Sequence, residues 1–236
     1  MTGQHKEIEF ERELAEYLEA HGWLYSNNDD LYDVERALLP EDVFGWLGQT
    51  QKAAFQKFIK PGSPDEDKRR RMLLDRLVKS LDKPMTDREG ALRTLRKGFN
   101  VAGLGAGSAK FDMMQAKPET SLNPTTQARY EANRLRVMRQ VHYGDGNKSI
   151  DLVFFLNGVP VATAEVKTEN TQTVENAKQQ YRERIIQPKG KKPFALLGNG
   201  TRALVHFAVS EDEVWMTTKL DGAKTRFLPF NRGTED

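Results

Sequence analysis

Cysteine is absent from the 236-residue chain. Disulfide stapling, thiol catalysis and Cys-ligated zinc or iron–sulfur centres are thereby excluded, and the composition suits a cytoplasmic protein. Histidine is scarce and scattered: His5, His21, His142 and His206 include no pair at ligand spacing, which argues against a histidine zinc site. No apolar run approaches the roughly 18 residues of a membrane span, and the polar, acidic start is no signal peptide. What remains for chemistry is carboxylates, lysines, hydroxyls and backbone. With 38% hydrophobic and 30% charged residues the chain reads as globular, one large domain or a domain with an appended subdomain.

Charge is segregated along the chain. Residues 1–50 carry 3 Lys/Arg against 12 Asp/Glu, a net of −9, whereas residues 51–110 carry 15 against 7, a net of +8. The basic middle is the stretch best suited to face a polyanion.

Periodicity divides the chain in two. Ile8, Leu14, Tyr17 and Leu18 predict a helix over Glu7–Ala20, capped by Gly22. Pro40 opens a further helical pattern through Val43, Trp46, Leu47, Phe55 and Phe58. A loop at Pro61–Asp67 precedes a basic helix over Arg69–Leu81, and helix resumes over Asp87–Lys97. The segment Ala102–Ser108 is glycine-rich but lacks the Gly-Lys-Ser/Thr ending of a phosphate-binding loop, so it reads as a flexible connection. From Asn123 the pattern changes. A short helix runs to about Asn133, and Leu135–Tyr143 alternates as a strand. Ile150–Leu156 and Val159–Lys167 form a hairpin about Asn157-Gly158, Thr171–Ile185 is a helix, and strands begin at Phe194, Ala203 and Val214. The chain is therefore α/β: a mainly helical portion over residues 1–120, whose first helix joins the core, and an α/β core over 121–236.

Asp151 begins the first hairpin strand; Glu165 and Lys167 end the second. Side chains two apart on a strand share a face, so Glu165 and Lys167 project together. Two carboxylates offer hard oxygen ligands for Mg²⁺, and a neighbouring lysine can position water or offset charge on a reacting phosphate. A solvated cross-strand ion pair has the same pattern, but both strands are nearly continuous apolar runs, and charge at the end of a core strand is costly unless paired or ligating.

The spacing Asp151–x13–Glu165–x–Lys167 resembles the PD-(D/E)xK nuclease superfamily, with Ile150 in place of its proline. The wider block from Arg139 to Ile185, with FERELAEYLEAHGWLY near the start and ALVHFAVSEDEVWMTT near the end, is similar to the N-terminal nuclease region of the restriction (R) subunit of type I restriction-modification enzymes. That resemblance implies a restriction-endonuclease-like mixed sheet flanked by helices and a Mg²⁺-dependent endonuclease, with Mn²⁺ a substitute, cutting double-stranded DNA alongside methyltransferase and specificity subunits. By the same resemblance Asp151 and Glu165 hold the metal, Lys167 is the catalytic lysine, and Glu11, ahead of Glu13, is the first-helix metal ligand. A Gln-x-x-x-Tyr motif on the following helix matches only at Tyr181, since Ala177 occupies the glutamine position. Gln180, Tyr181, Arg182 and Arg184 are the supporting or DNA-contacting candidates. ATP would serve motor domains that these residues do not include, so the chain reads as a fragment of a longer polypeptide. The alternatives are a non-catalytic DNA-binding or assembly module and a stand-alone nuclease of the junction-resolvase kind.

Register sharpens the expectation. A strict two-residue Asn157-Gly158 turn pairs Leu156 with Val159 and sends Asp151 and Glu165 to opposite faces. A nuclease site therefore requires an irregularity, either a three-residue loop with Gly158 left-handed or a bulge near Ile150-Asp151, bringing carboxyl oxygens within roughly 5 Å.

Overall fold

The computed structural model describes residues 3–86, 89–102, 108–144, 146–168, 173–184 and 194–230. Helix α1 (Gly3–Ala20) turns Glu11, Leu14, Ala15 and Leu18 inward and leaves Arg12, Glu13 and Glu16 in solvent. It ends where Gly22 adopts φ 90° and Trp23 N–H bonds back to the Leu18 carbonyl, a conformation a side chain disfavours. The second helical pattern is two helices, α2 (Pro40–Thr50) and α3 (Lys52–Ile59), broken at Gln51. The basic helix α4 (Glu66–Leu81) starts earlier than its apolar stripe predicts, with Glu66 and Asp67 at the positive N-terminal end. α5 (Ala91–Lys97) follows; the predicted start at Asp87 lies outside the described residues.

Strands β2 (Phe99–Ala102) and β3 (Ser108–Phe111) pair antiparallel on either side of the glycine-rich segment, of which residues 103–107 lie outside the described residues. Four residues each are too few to announce themselves by alternation. Asn123 caps α6 (Pro124–Glu131) by accepting from Thr126 N–H, with Pro124 at the first helical position.

The strand-rich half follows the reading with one correction. β4 (Leu135–His142), β5 (Ser149–Leu156), β6 (Val159–Val166), α7 (Val174–Arg184), β7 (Val205–Val209) and β8 (Val214–Thr217) appear in order. The strand predicted from Phe194 is instead a 3₁₀ turn, Ala195–Leu197. There the Thr201 hydroxyl bonds the carbonyls of Ala195 and Gly198, closing the segment on itself. Two short strands, β1 (Leu24–Ser26) and β9 (Leu228–Pro229), give no sequence signal and form the edges.

The seven strands make one mixed sheet in the order β1-β4-β5-β6-β7-β8-β9, parallel at β1/β4 and β6/β7 and antiparallel elsewhere. It is the restriction-endonuclease-like α/β architecture expected from the sequence. α1 covers Val137, Leu152, Ala164 and Val166, while Val153, Phe155 and Tyr181 of α7 share a second cluster. Among the described residues no helix is long and apolar enough to cross a membrane.

Helices α2–α5 build a core of their own around Trp46, Phe58, Leu73, Leu77 and Phe111, closed by Val159 at the hairpin turn. Asp42 ties this unit to the sheet. It is 1% exposed yet accepts from Arg134 Nε at 2.9 Å and from Arg136 Nε at 2.6 Å. Burial raises its pKa, but the hydrogen bonds and charges of Arg136 and Arg134 outweigh burial and hold the carboxyl below its ordinary range.

Asn157 (φ 51°) and Gly158 (φ 83°) are both left-handed, the two-residue turn that an Asn-Gly pair favours. The Asn157 amide is fully buried, donating to the Met113 carbonyl and accepting from Arg134 N–H. At Gly158 an added Cβ meets the Leu39 carbonyl oxygen at 2.4 Å and Val43 Cγ2 at 2.6 Å. Gly158→Ala therefore combines left-handed strain with overpacking and is expected to cost about 2–5 kcal/mol. Urea denaturation measures it, and a cost below about 1 kcal/mol means that α2 does not press on this turn.

Candidate active site

Register brings the carboxylates together. Leu156 pairs with Val159 and Phe155 with Pro160, but Phe154 pairs with Ala162, Val153 with Thr163 and Leu152 with Ala164. Val161 is the extra residue, a bulge of one that reverses the parity of the rest of β6. The next pair in that register is Asp151 with Glu165, side by side at the strand ends. The irregularity expected from the sequence is present, but in the strand beyond a regular two-residue turn. Pro160 accounts for its position: proline donates no ladder hydrogen bond and is tolerated inside a sheet chiefly at bulges.

These groups lie deep. Glu165 is 0%, Glu11 3%, Lys167 5% and Asp151 8% exposed. Burial lifts the Glu165 pKa well above the carboxylate range. The charge of Asp151 lifts it further, against the opposing charges of Arg184 and Lys167. Asp151 Oδ2 accepts from Val166 N–H at 2.8 Å. One Glu165 oxygen, Oε2, is buried with no hydrogen-bond partner.

α1 supplies two further carboxylates from positions one helical turn apart. Glu7 Oε1 accepts from Lys167 Nζ at 2.6 Å, and Glu11 Oε2 from Gln140 Nε2 at 2.9 Å. The same Gln140 nitrogen reaches Asp151 Oδ1 at 3.3 Å, bridging Glu11 to the strand-end pair. Gln140 stands at φ 50° within β4. Alternation breaks there: Val137 and Leu152 pack in the α1 cluster, whereas Val141 and Ile150 pack in the other.

The family Type I restriction enzyme R protein N terminus (HSDR_N) matches residues 5–225. The chain belongs to this family. No curated protein matches the chain.

Of the family-derived site residues, Asp151, Glu165 and Lys167 lie together at the strand ends, Glu11 is joined to Asp151 through Gln140, and Glu13 faces solvent. Tyr181 is fully buried, its hydroxyl 2.7 Å from Thr163 Oγ1, so it packs beneath the site. Gln180 is half-buried, with an unpartnered Oε1. Arg182 lies 5.8 Å over the Phe227 ring. Arg184 goes into the site: its Nη1 bonds both Glu165 Oε1 and the Ser149 carbonyl. Glu7, Arg139 and Gln140 are site residues that sequence reading misses. Gln140 sits in an alternating strand with nothing to mark its left-handed backbone, and Glu7 differs in no way from the other glutamates of α1.

The donor set suits a hard divalent ion: adjacent sealed carboxylates, one bearing an unused oxygen, and a third carboxylate one amide away. Among the described residues no group of three or more His, Cys, Asp and Glu is close enough to hold an ion by itself. Asp151 and Glu165 are thus the pair that could ligate, with Glu11 joined to them through Gln140.

Burial, and after it the charge of Asp151, raise Glu11 from 4.5 to about 7 against the lowering effect of the Gln140 and Arg139 donors. Between those values the folded chain keeps a proton that the unfolded chain has released. Without divalent ions, stability is therefore expected to fall as pH rises from about 4.5 to 7, by roughly 3–4 kcal/mol at most. Denaturation in EDTA should show this slope, flattened in Glu11→Gln; an identical slope in that variant removes Glu11 as its source.

Proposed function

We propose that the chain is a divalent-metal-dependent endonuclease module hydrolysing phosphodiester bonds of double-stranded DNA, the cleavage part of a type I restriction enzyme R subunit. The observation that carries this reading is the Val161 bulge, which sets Asp151 against Glu165 across two core strands with Lys167 beside them. Two adjacent acids sealed from solvent are costly to ionise together, a cost that a bound cation offsets.

Asp151 and Glu165 would hold Mg²⁺ or Mn²⁺, with Glu11 the third carboxylate. The ion supplies positive charge to a phosphate oxygen and acidity to water. Lys167, oriented by Glu7, brings an ammonium to the same strand end, where it offsets charge gathering on the phosphate and can exchange a proton with the attacking water. Arg184 covers one oxygen of Glu165. Released, its planar guanidinium suits a DNA phosphate. Gln140 holds Glu11 and Asp151 in register. Family membership supports DNA and the methyltransferase and specificity subunits as partners, in the cytoplasm, with ATP belonging to the motor of an R protein and not to these residues.

Among the described residues no three carboxylates converge, and Lys167 and Arg184 are both in ion pairs, which favours a second reading, a non-catalytic DNA-binding or assembly module. Calorimetric titration with Mn²⁺ separates the two. Weak binding that disappears in Asp151→Ala is expected, and no heat at millimolar Mn²⁺ excludes the nuclease reading. In the complete R protein with its partner subunits, Lys167→Ala should lower DNA cleavage at least roughly 100-fold while the circular dichroism of the folded chain is retained. Cleavage at the parental rate takes the lysine out of the mechanism.

A further inference from the structure

The basic middle of the sequence folds into a surface that the carboxylate site does not use. α4 buries Leu73, Leu74, Leu77 and Leu81. Two of its cations serve the fold: Arg69 donates to the Phe58 carbonyl, and Arg70 pairs with Glu66 and lies over the Phe44 ring. The remainder, Lys68, Arg71, Arg76 and Lys79, are exposed and have no ion pair among the described residues. Two carboxylates line this face, and both are paired: Asp75 is held by Arg36 at 2.9 Å and Glu89 by Lys83 at 2.6 Å.

Two open hollows lie along this face and share Arg76 and Lys79. One, of about 460 Å³, is lined by Lys68 and Arg71. The other, of about 300 Å³, runs between α4 and α5 and adds Arg93, Thr94 and Asn100. From Lys68 to Lys79 the helix rises about 16 Å, so the stripe offers roughly one cation per turn. Regular spacing of that kind matches regularly spaced anions. A lipid surface fits less well, because membrane-bound basic helices insert an apolar face and the apolar face of α4 is committed to the core.

The face is remote from the reaction. Its core closes on Val159, and β6 runs six residues from there to Glu165, about 20 Å at strand rise. We propose that the α4–α5 face is a second nucleic-acid backbone contact, which grips duplex phosphates away from the strand-end carboxylates and without reading sequence. It shares with the proposed function only the class of partner and requires neither metal nor catalysis.

The test therefore runs in EDTA, where cleavage and metal play no part. Fluorescence anisotropy of a labelled 30-base-pair duplex is measured against salt for the 236-residue chain and for the triple variant Arg71→Glu, Arg76→Glu, Lys79→Glu. The proposal expects at least a tenfold loss of affinity near 0.1 M salt and a fall of about 2–3 in the slope of log K against log salt, one phosphate contact per removed cation. A control triple, Lys219→Glu, Lys224→Glu, Arg226→Glu, should change affinity less than threefold. Unchanged binding in the α4 variant, equal loss in the control, or preference for phosphatidylserine vesicles over duplex overturns the assignment. Should the glutamate variant melt early, Arg71→Gln, Arg76→Gln, Lys79→Gln must show the same slope change. A loss of DNA cleavage with this binding intact would count against the nuclease reading alone.

Discussion

The burial of Asp151 and Glu165 side by side organises the centre of this molecule. Two carboxylates face each other on adjacent core strands, where water cannot screen them, and the surroundings respond to that cost. Val166 N–H and Gln140 donate to Asp151, Arg184 covers one oxygen of Glu165, and Lys167 stands at the strand end paired with Glu7. Glu11 adds a third carboxylate to the neighbourhood and takes two donors of its own, Arg139 and Gln140. A fold selected for stability alone has no reason to gather acids here. Gathering them makes sense where positive charge arrives from outside.

The scaffold holds this arrangement by means that lie mostly elsewhere. The Asn157-Gly158 turn is wedged under α2, with Gly158 against the Leu39 carbonyl and the Asn157 amide tied to Met113 and Arg134. That contact anchors one end of the hairpin and thereby the count of residues to the other end. Pro160 and the Val161 bulge then decide which way Glu165 points. The helical unit is thus a clamp on the register of the two strands that bear the acids, besides carrying the basic face.

Segregation of charge along the chain gains a physical sense from the pairings. Part of the acidity of the first fifty residues is taken up by pairing: Glu7 with Lys167, Asp33 with Arg36, and Asp42 with Arg134 and Arg136. The cations of α4 have few such partners. The near-neutral total conceals a basic α4 face whose cations are largely unpaired among the described residues.

Much was legible from the residues. Apolar periodicity placed α1, the strands β4 to β8 apart from the Phe194 segment, and the hairpin at Asn157-Gly158, because each run is long enough for its period to show. The Asp151, Glu165, Lys167 spacing identified the acids and the lysine. The parity of a two-residue turn demanded a bulge, and Pro160 was the residue that could have located it. Short strands such as β2, β3 and β9 stayed hidden, since two to four residues carry no period. Gln140, Glu7 and the turn of Arg184 onto Glu165 were equally invisible: each depends on groups far away in sequence. Local chemistry and alternation along a strand are written in the order of residues. Which acids share a site, and which cations remain free to meet a partner, follows only when packing brings distant segments to hydrogen-bonding distance.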